Sequence, residues 1–226
     1  MKRIKSEIEK RNYRHNMMTQ RPVDRLILKL AIPTIISMTI TAMYNLADSY
    51  FIGHLSTQAT AGVGIAFAYQ SFIQAIGFFF GSGSGNYISR ALGAKKEQNA
   101  EKMASTGFFS ALLAGIAIGL AGLIFIKPLA TLLGATPDIE SYAIDYLKYL
   151  LIAAPFMISQ MVLNNQLRLQ GNASQAMIGL VSGAIINIIL DPVFIYTLEL
   201  GVSGAAIATL VSQIISWSIL LIVTTF

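Results

Sequence analysis

Cysteine is absent from this chain. Its absence excludes disulfides, thiolate nucleophiles and cysteine-ligated metal sites. Histidine is nearly absent: His15 and His54 stand apart, with no companion ligands or nucleophile beside them. No nucleophile–base pair and no metal-ligand cluster can be assembled from the sequence, so an enzyme is not expected, nor a cofactor. Charge is scarce as well. Charged residues make up 12% of the 226 positions and hydrophobic residues 54%, whereas a soluble globular domain carries about 25% charged residues. With a mean hydropathy of +0.62, most of the molecular surface faces something other than water.

The charge that is present is segregated. Nine of the sixteen Lys and Arg residues fall between Lys2 and Lys29. Nucleic-acid binding needs a basic patch on a folded surface, and here the basic run precedes an apolar stretch, so a nucleic-acid partner is not expected. That stretch is longer than a signal-peptide core and has no small-residue cleavage site. Residues 1–23 are therefore expected to form an uncleaved, basic cytoplasmic tail.

A bilayer core of about 30 Å needs about 20 apolar helical residues. Six stretches meet that length, at about 26–52, 61–83, 103–126, 146–167, 175–198 and 202–226. The expected fold is an all-α integral membrane bundle of six transmembrane helices in a lipid bilayer. The links are short, so sequential helices are expected to be antiparallel neighbours. The longest polar loop is expected from Arg90 to Lys102. Thr136 or Asp138 is placed to cap the fourth helix. Arg90, Lys95, Lys96, Lys102 and Arg168 fall on the side of the tail, and Lys127 alone on the other. Positive loops stay inside, so the protein is expected to be a multi-pass cell-membrane protein with a cytoplasmic N-terminus.

Two acidic residues lie deep in apolar surroundings, Asp48 and Asp191. A charge at bilayer depth costs about 2.5–3.5 kcal/mol on insertion scales. It persists where it has a partner or lines a cavity, and neither aspartate has a Lys or Arg within its own helix turn. At 1.5 Å per residue, Asp48, Asp191 and Thr209 each sit roughly 10 Å below the outer ends of their helices. Gly179, Gly183, Asn187 and Asp191 recur every four residues and share one stripe. Its lower half suits close helix contact. Thr34, Ser37, Thr41, Asn45 and Asp48 form a second stripe, suited to a water-filled cavity. Any single hydroxyl in it is read more simply as packing or back-bonding. Pro33, Pro155 and Pro192 interrupt helices. Pro192 removes the partner of the Ile188 carbonyl, and Pro33 is a candidate hinge.

Other motifs carry less. Gly81-Ser82-Gly83-Ser84-Gly85 resembles a phosphate loop but follows an apolar helix rather than a strand, so close helix contact or a flexible helix end is expected. Gly115 and Gly119 form a small-xxx-small pair.

Several motifs together resemble one family. These are Asp24-Arg25-Leu26 with Ala31-Ile32-Pro33 and Asn45-Leu46-Ala47-Asp48-Ser49-Tyr50-Phe51-Ile52-Gly53; Ile88-Ser89-Arg90-Ala91-Leu92-Gly93-Ala94; Gln166-Leu167-Arg168-Leu169-Gln170-Gly171-Asn172; Asn187-Ile188-Ile189-Leu190-Asp191-Pro192; and Gly201-Val202-Ser203-Gly204-Ala205-Ala206. They are similar to the N-terminal half of multidrug and toxic compound extrusion (MATE) transporters. The resemblance implies a cation site at Asp48, Asn187, Asp191 and Thr209, with Tyr44 and Asn164 hydrogen-bonding Asp48. It implies efflux of organic cation drugs against Na⁺ or H⁺, with possible Na⁺ binding at those four residues. It also implies a two-lobe, twelve-helix whole, so a C-terminal lobe or a second copy is expected as partner.

Two other functions fit a bundle of this kind. A lipid-intermediate flippase of the same superfamily would want deep basic residues for a phosphate-bearing substrate, and few are present. An oligomeric ion channel would want a filter or charge ring, and no filter sequence is found. The loop charges yield one prediction: in intact cells an N-terminal tag is protected from external protease, and a tag near Pro137 is cut. The opposite pattern would invert the orientation.

Overall fold

The computed structural model describes residues 22–225, which are helical with no strand among them. Helices dominate because a backbone in lipid must satisfy its own polar groups. The elements are α1 (Val23–Gly53), α2 (Thr57–Gly93), α3 (Glu97–Ile124), a short α4 (Ile126–Leu132), α5 (Glu140–Leu169), α6 (Ala173–Pro192) continuing as a π-helical segment (Val193–Thr197), and α7 (Gly201–Thr225). Among the described residues, six helical spans are long and apolar enough to cross a membrane. The expected tail, apart from residues 22 and 23, lies outside the described residues, as does Phe226.

Several boundaries differ from the sequence expectation, always because hydropathy measures the lipid-facing stretch and not the helix. The second helix does not stop near residue 83. It runs to Gly93, so Arg90 lies in its last turn and the connection to α3 is only residues 94–96. Lys95 takes φ +58° to make that turn. The glycine-rich run at 81–85 is helix interior. The fourth apolar stretch begins a turn and a half early, at Glu140, without a side-chain cap from Thr136 or Asp138. Thr136 contributes its backbone carbonyl instead, accepting from the Glu140 N–H at 2.9 Å. The fifth stretch is not one regular helix. At Pro192, which has no N–H to donate, the α-helix gives way to the wider π turn.

Sequential helices are also not always neighbours. α5 is the central post, touching α2, α3, α4, α6 and α7, whereas α1 lies mainly on α6 and barely meets α2. Glycine makes the close approaches to α5. A Cβ on Gly77 would stand 2.7 Å from Met161 Cβ, one on Gly81 2.9 Å from Asn165 Nδ2, and one on Gly85 2.5 Å from Leu169 Cδ1. From α3, a Cβ on Gly115 would stand 2.5 Å from Pro155 Cα, and one on Gly119 2.6 Å from the Leu151 carbonyl oxygen. The α6 stripe behaves likewise, Gly179 meeting Leu220 and Gly183 meeting Ser216 of α7. At the outer end, the Tyr196 hydroxyl donates to the Phe51 carbonyl at 2.7 Å, tying the π segment to α1.

Gly115→Ala is expected to destabilise the bundle by about 1–3 kcal/mol, because backbone of α5 must move. Gly83 has nothing within 4 Å of its would-be Cβ, so Gly83→Ala is expected to be neutral or stabilising by about 0.5–1 kcal/mol. Thermal unfolding of the two purified variants checks the difference in sign.

Candidate functional site

Four helices deliver polar groups to one layer. Asp48 is five residues below the end of α1, Asp191 six below the end of the π segment, Thr209 eight into α7 and Tyr146 six into α5. Each therefore lies roughly 8–12 Å inside the same end of the bundle. All are buried: Asp48 is 2% exposed and Asp191 0%. Asn187 donates from Nδ2 to Asp191 Oδ1 at 3.2 Å and to Thr209 Oγ1 at 3.4 Å. The Tyr146 hydroxyl donates to Asp48 Oδ2 at 3.2 Å and also meets Thr209. The two carboxylates are near enough to interact electrostatically. Neither is partnered by a lysine or arginine among the described residues.

The layer is rich in acceptors that nothing satisfies. Asp48 Oδ1, Asn187 Oδ1 and Asp191 Oδ2 are all buried without a hydrogen-bond partner among the described residues. An unpaired buried acceptor costs about 1–3 kcal/mol, and more if charged. These oxygens are of the kind that could hold a proton or a cation that takes oxygen ligands.

The structure thus brings together Asp48, Asn187, Asp191 and Thr209. It does not bring all the expected supporting residues to them. Asn164 does not hydrogen-bond Asp48. It lies eighteen residues beyond Tyr146 on α5, about 27 Å along the helix, and donates to the Ala176 carbonyl at 3.0 Å. Tyr44 lies a turn below Asp48, within electrostatic reach of it, but its hydroxyl accepts from Gln70 Nε2 at 3.3 Å. Tyr146 makes the bond assigned to those two. Pro33 sits fifteen residues from Asp48 in a helix that continues through it, far from the cluster. Along the α1 stripe, Thr34 and Ser37 back-bond to the Leu30 and Pro33 carbonyls. Of the stripe only Thr41 lines a cavity, together with Tyr44 of the same helix.

A cavity against α1 was expected from the polar stripe, but its enclosure by α2, α5, α6 and α7 was not. It has a volume of about 80 Å³ and lies just inward of the carboxylates. Gln70, Gln160, Asn187 and Ser212 supply much of its polar lining. The signal was present: Gln160 is an amide in a run from Pro155 to Leu163 that is otherwise apolar but for Ser159, the same kind of intramembrane polar group that marked the aspartates.

Known proteins share this plan. The MatE family profile matches residues 33–193. The multidrug export protein MepA of Staphylococcus haemolyticus is 34% identical over 193 residues, covering 85% of this chain and 43% of that protein. A transporter of the MOP superfamily from Pyrococcus furiosus, described as having a binding pocket of reverse polarity that suggests a different function, superposes with a TM-score of 0.86 at 33% identity. The match covers 91% of this chain and 45% of that one. An outward-facing multidrug resistance MATE family transporter of the same superfamily also gives 0.86 at 33% identity, over 91% and 46%. The chain spans about half the length of these relatives. With the profile over most of the described helices and the fold matched at this identity, the chain belongs to the MatE family, a family of membrane transporters and not of enzymes.

Proposed function

We infer that this chain is the cation-binding half of a multidrug efflux antiporter, expelling organic cations against inward Na⁺ or H⁺. The observation that carries this reading is the buried pair Asp48 and Asp191, without basic counter-charge among the described residues, with one oxygen of each and the adjoining Asn187 Oδ1 unpartnered. For Na⁺, the ligands would be Asp48 Oδ1, Asn187 Oδ1, Asp191 Oδ2 and the Thr209 hydroxyl, the oxygen donors that hard cations take. For H⁺, either carboxylate accepts the proton. Tyr146 and the Asn187 amide nitrogen hold the carboxylates in place in both cases.

Coupling follows from differential affinity. A cation shifts a two-state transporter only by binding one state better than the other. Carboxylates exposed to water in one state and enclosed in the other give that difference. The cavity below is lined by neutral amides, hydroxyls and apolar groups, with no Lys or Arg in its wall. That lining favours a cationic substrate over a phosphate-bearing one. The relatives named as multidrug export proteins support the same direction. Their doubled length supports a second lobe, supplied by a C-terminal segment or a second copy, as the rocking partner. The loop charges support a cytoplasmic N-terminus.

In the two-lobe protein, Asp48→Asn or Asp191→Asn is expected to abolish gradient-driven efflux of a fluorescent cation at unchanged membrane expression. Asn187→Ala and Thr209→Ala each remove one neutral ligand and are expected to weaken cation dependence by roughly tenfold or less. Near-normal efflux from both aspartate variants would sink the coupling role. Efflux measured with Na⁺ and H⁺ gradients imposed separately names the ion.

Residues 1–226 alone, reconstituted as monomers in liposomes, are expected to show no efflux, and co-reconstitution with a second lobe to restore it. Transport by the monomer would refute the two-lobe requirement.

A further inference from the structure

The central helix α5 carries a charge pattern that the cation site does not use. Nineteen residues, Tyr149 to Leu167, are uncharged between Lys148 and Arg168. At 1.5 Å per residue that run is about 28 Å long, which matches a hydrocarbon core of about 30 Å. Lys148 therefore stands at the level of the lipid phosphates at the end of the bundle that bears α4. Asp145, three residues nearer the helix start, lies about 4–5 Å farther from the midplane. Both side chains are exposed. Neither has an ion-pair partner among the described residues, and Lys148 Nζ lies 5.7 Å from the centroid of the Tyr149 ring.

These two charges lie on the floor of a furrow. α3 and α7 both pack on α5 yet hardly touch each other. α3 meets Leu151 and Pro155 through Gly119 and Gly115. α7 meets Phe156 and Gln160 through Trp217 and Ser216. Between those two lines of contact, Ser141, Asp145, Lys148 and Ile152 share one face of α5 and are all exposed. Seven residues farther along that face, Ser159 is 0% exposed. Aromatic rings close the furrow there. Phe108 of α3 and Trp217 of α7 reach across α5 and stack, with centroids 6.5 Å apart and planes 21° apart. Phe156 meets the Trp217 ring edge-on at 5.3 Å. Phe156 is eight residues inward of Lys148, about 12 Å, which is close to the hydrocarbon depth of one leaflet, about 15 Å. The furrow thus has a charged mouth, the apolar side chain of Ile152 on its floor and an aromatic end near the midplane. It lies on the far side of α5 from the cavity that Met157, Gln160 and Met161 line.

The order of the charges selects one kind of occupant. In phosphatidylethanolamine the phosphate is nearer the acyl chains and the primary ammonium follows it. Lys148, nearer the midplane, and Asp145, outside it, present the complementary charges in that order. An anionic headgroup with no amine would set a like charge against Asp145. A choline headgroup offers that carboxylate no N–H donor. We propose that the furrow between α3 and α7 is a binding site for one phosphatidylethanolamine molecule, with its phosphate on Lys148, its ammonium on Asp145 and an acyl chain running to the Phe108–Trp217 stack. The site is independent of the cation reading, since it shares no residue with it.

The test uses Trp217, the sole tryptophan of the chain, as a reporter at the end of the furrow. Bromine on an acyl chain quenches tryptophan fluorescence at close range. The 226-residue chain is placed in nanodiscs of unbrominated phosphatidylcholine. A small, fixed fraction of lipid brominated near the middle of its acyl chains is then added, carrying an ethanolamine, choline or glycerol headgroup. The ethanolamine lipid is expected to quench Trp217 more effectively than the other two by about two- to fivefold, the preference that exposed charge pairs supply. Lys148→Gln and Asp145→Asn are each expected to reduce that preference, and Lys148→Arg to keep it. These positions are exposed and distant from the indole, so unaltered emission in unbrominated lipid checks that each variant is folded. Equal quenching by the three headgroups, strongest quenching by the glycerol lipid, or an ethanolamine preference that survives both Lys148→Gln and Asp145→Asn would overturn the proposal. Efflux plays no part in this readout, so failure of the coupling reading leaves it standing.

Discussion

Two carboxylates buried together without a basic partner are the constraint on which the rest of this lobe depends. Such a pair cannot remain both charged and dry, because low local dielectric magnifies repulsion and desolvation alike. Every neighbouring feature answers to that. Tyr146 and Asn187 spend their donors on the carboxylates. Their other oxygens, Asp48 Oδ1 and Asp191 Oδ2, have no hydrogen-bond partner among the described residues, and a partly polar cavity lies inward of them. A structure with an arginine in the same layer would be more stable and would have nothing to exchange.

Holding the pair in place takes rigidity elsewhere. In lipid the apolar side chains gain little by meeting one another, so helix association relies on close contact and a few polar ties. α5 provides the common surface for both. Small residues bring α2 and α3 against it, and amides tie it to its neighbours, with Gln166 donating to Ser84 at 3.1 Å and to the Ala104 carbonyl at 3.2 Å. α1, by contrast, is mostly exposed and held chiefly by α6. The lobe therefore joins a firm post to a loosely attached helix that carries one of the two carboxylates.

The sequence made the six spans legible because their signal is compositional, and it singled out Asp48 and Asp191 because intramembrane charges are rare; Asn187 and Thr209 joined them by matched depth and the family resemblance. Helix ends were less legible. Polar residues such as Arg90 and Glu97 continue a helix past the lipid, where hydropathy has nothing to report. Partner choice was least legible. Tyr44, Tyr146 and Asn164 are all polar residues on the right helices, and only the rotation and depth of α5 decide that Tyr146 meets Asp48. The cavity needed five helices at once, and no pairwise spacing in the chain foretells that Gln160 and Asn187 line one space.

The glycine seam between α2 and α5 has a consequence for how such a chain changes over generations. Gly77, Gly81 and Gly85 each face one α5 side chain, Met161, Asn165 and Leu169. A side chain at any of these three positions needs its α5 neighbour to give way, so single substitutions there are disfavoured. Change along the seam is therefore possible chiefly in pairs, with a smaller α5 residue appearing before or together with a larger α2 residue. Lineages should then show correlated drift at 77 with 161, 81 with 165 and 85 with 169, and independent drift at 64 and 83, where the helix surface meets nothing.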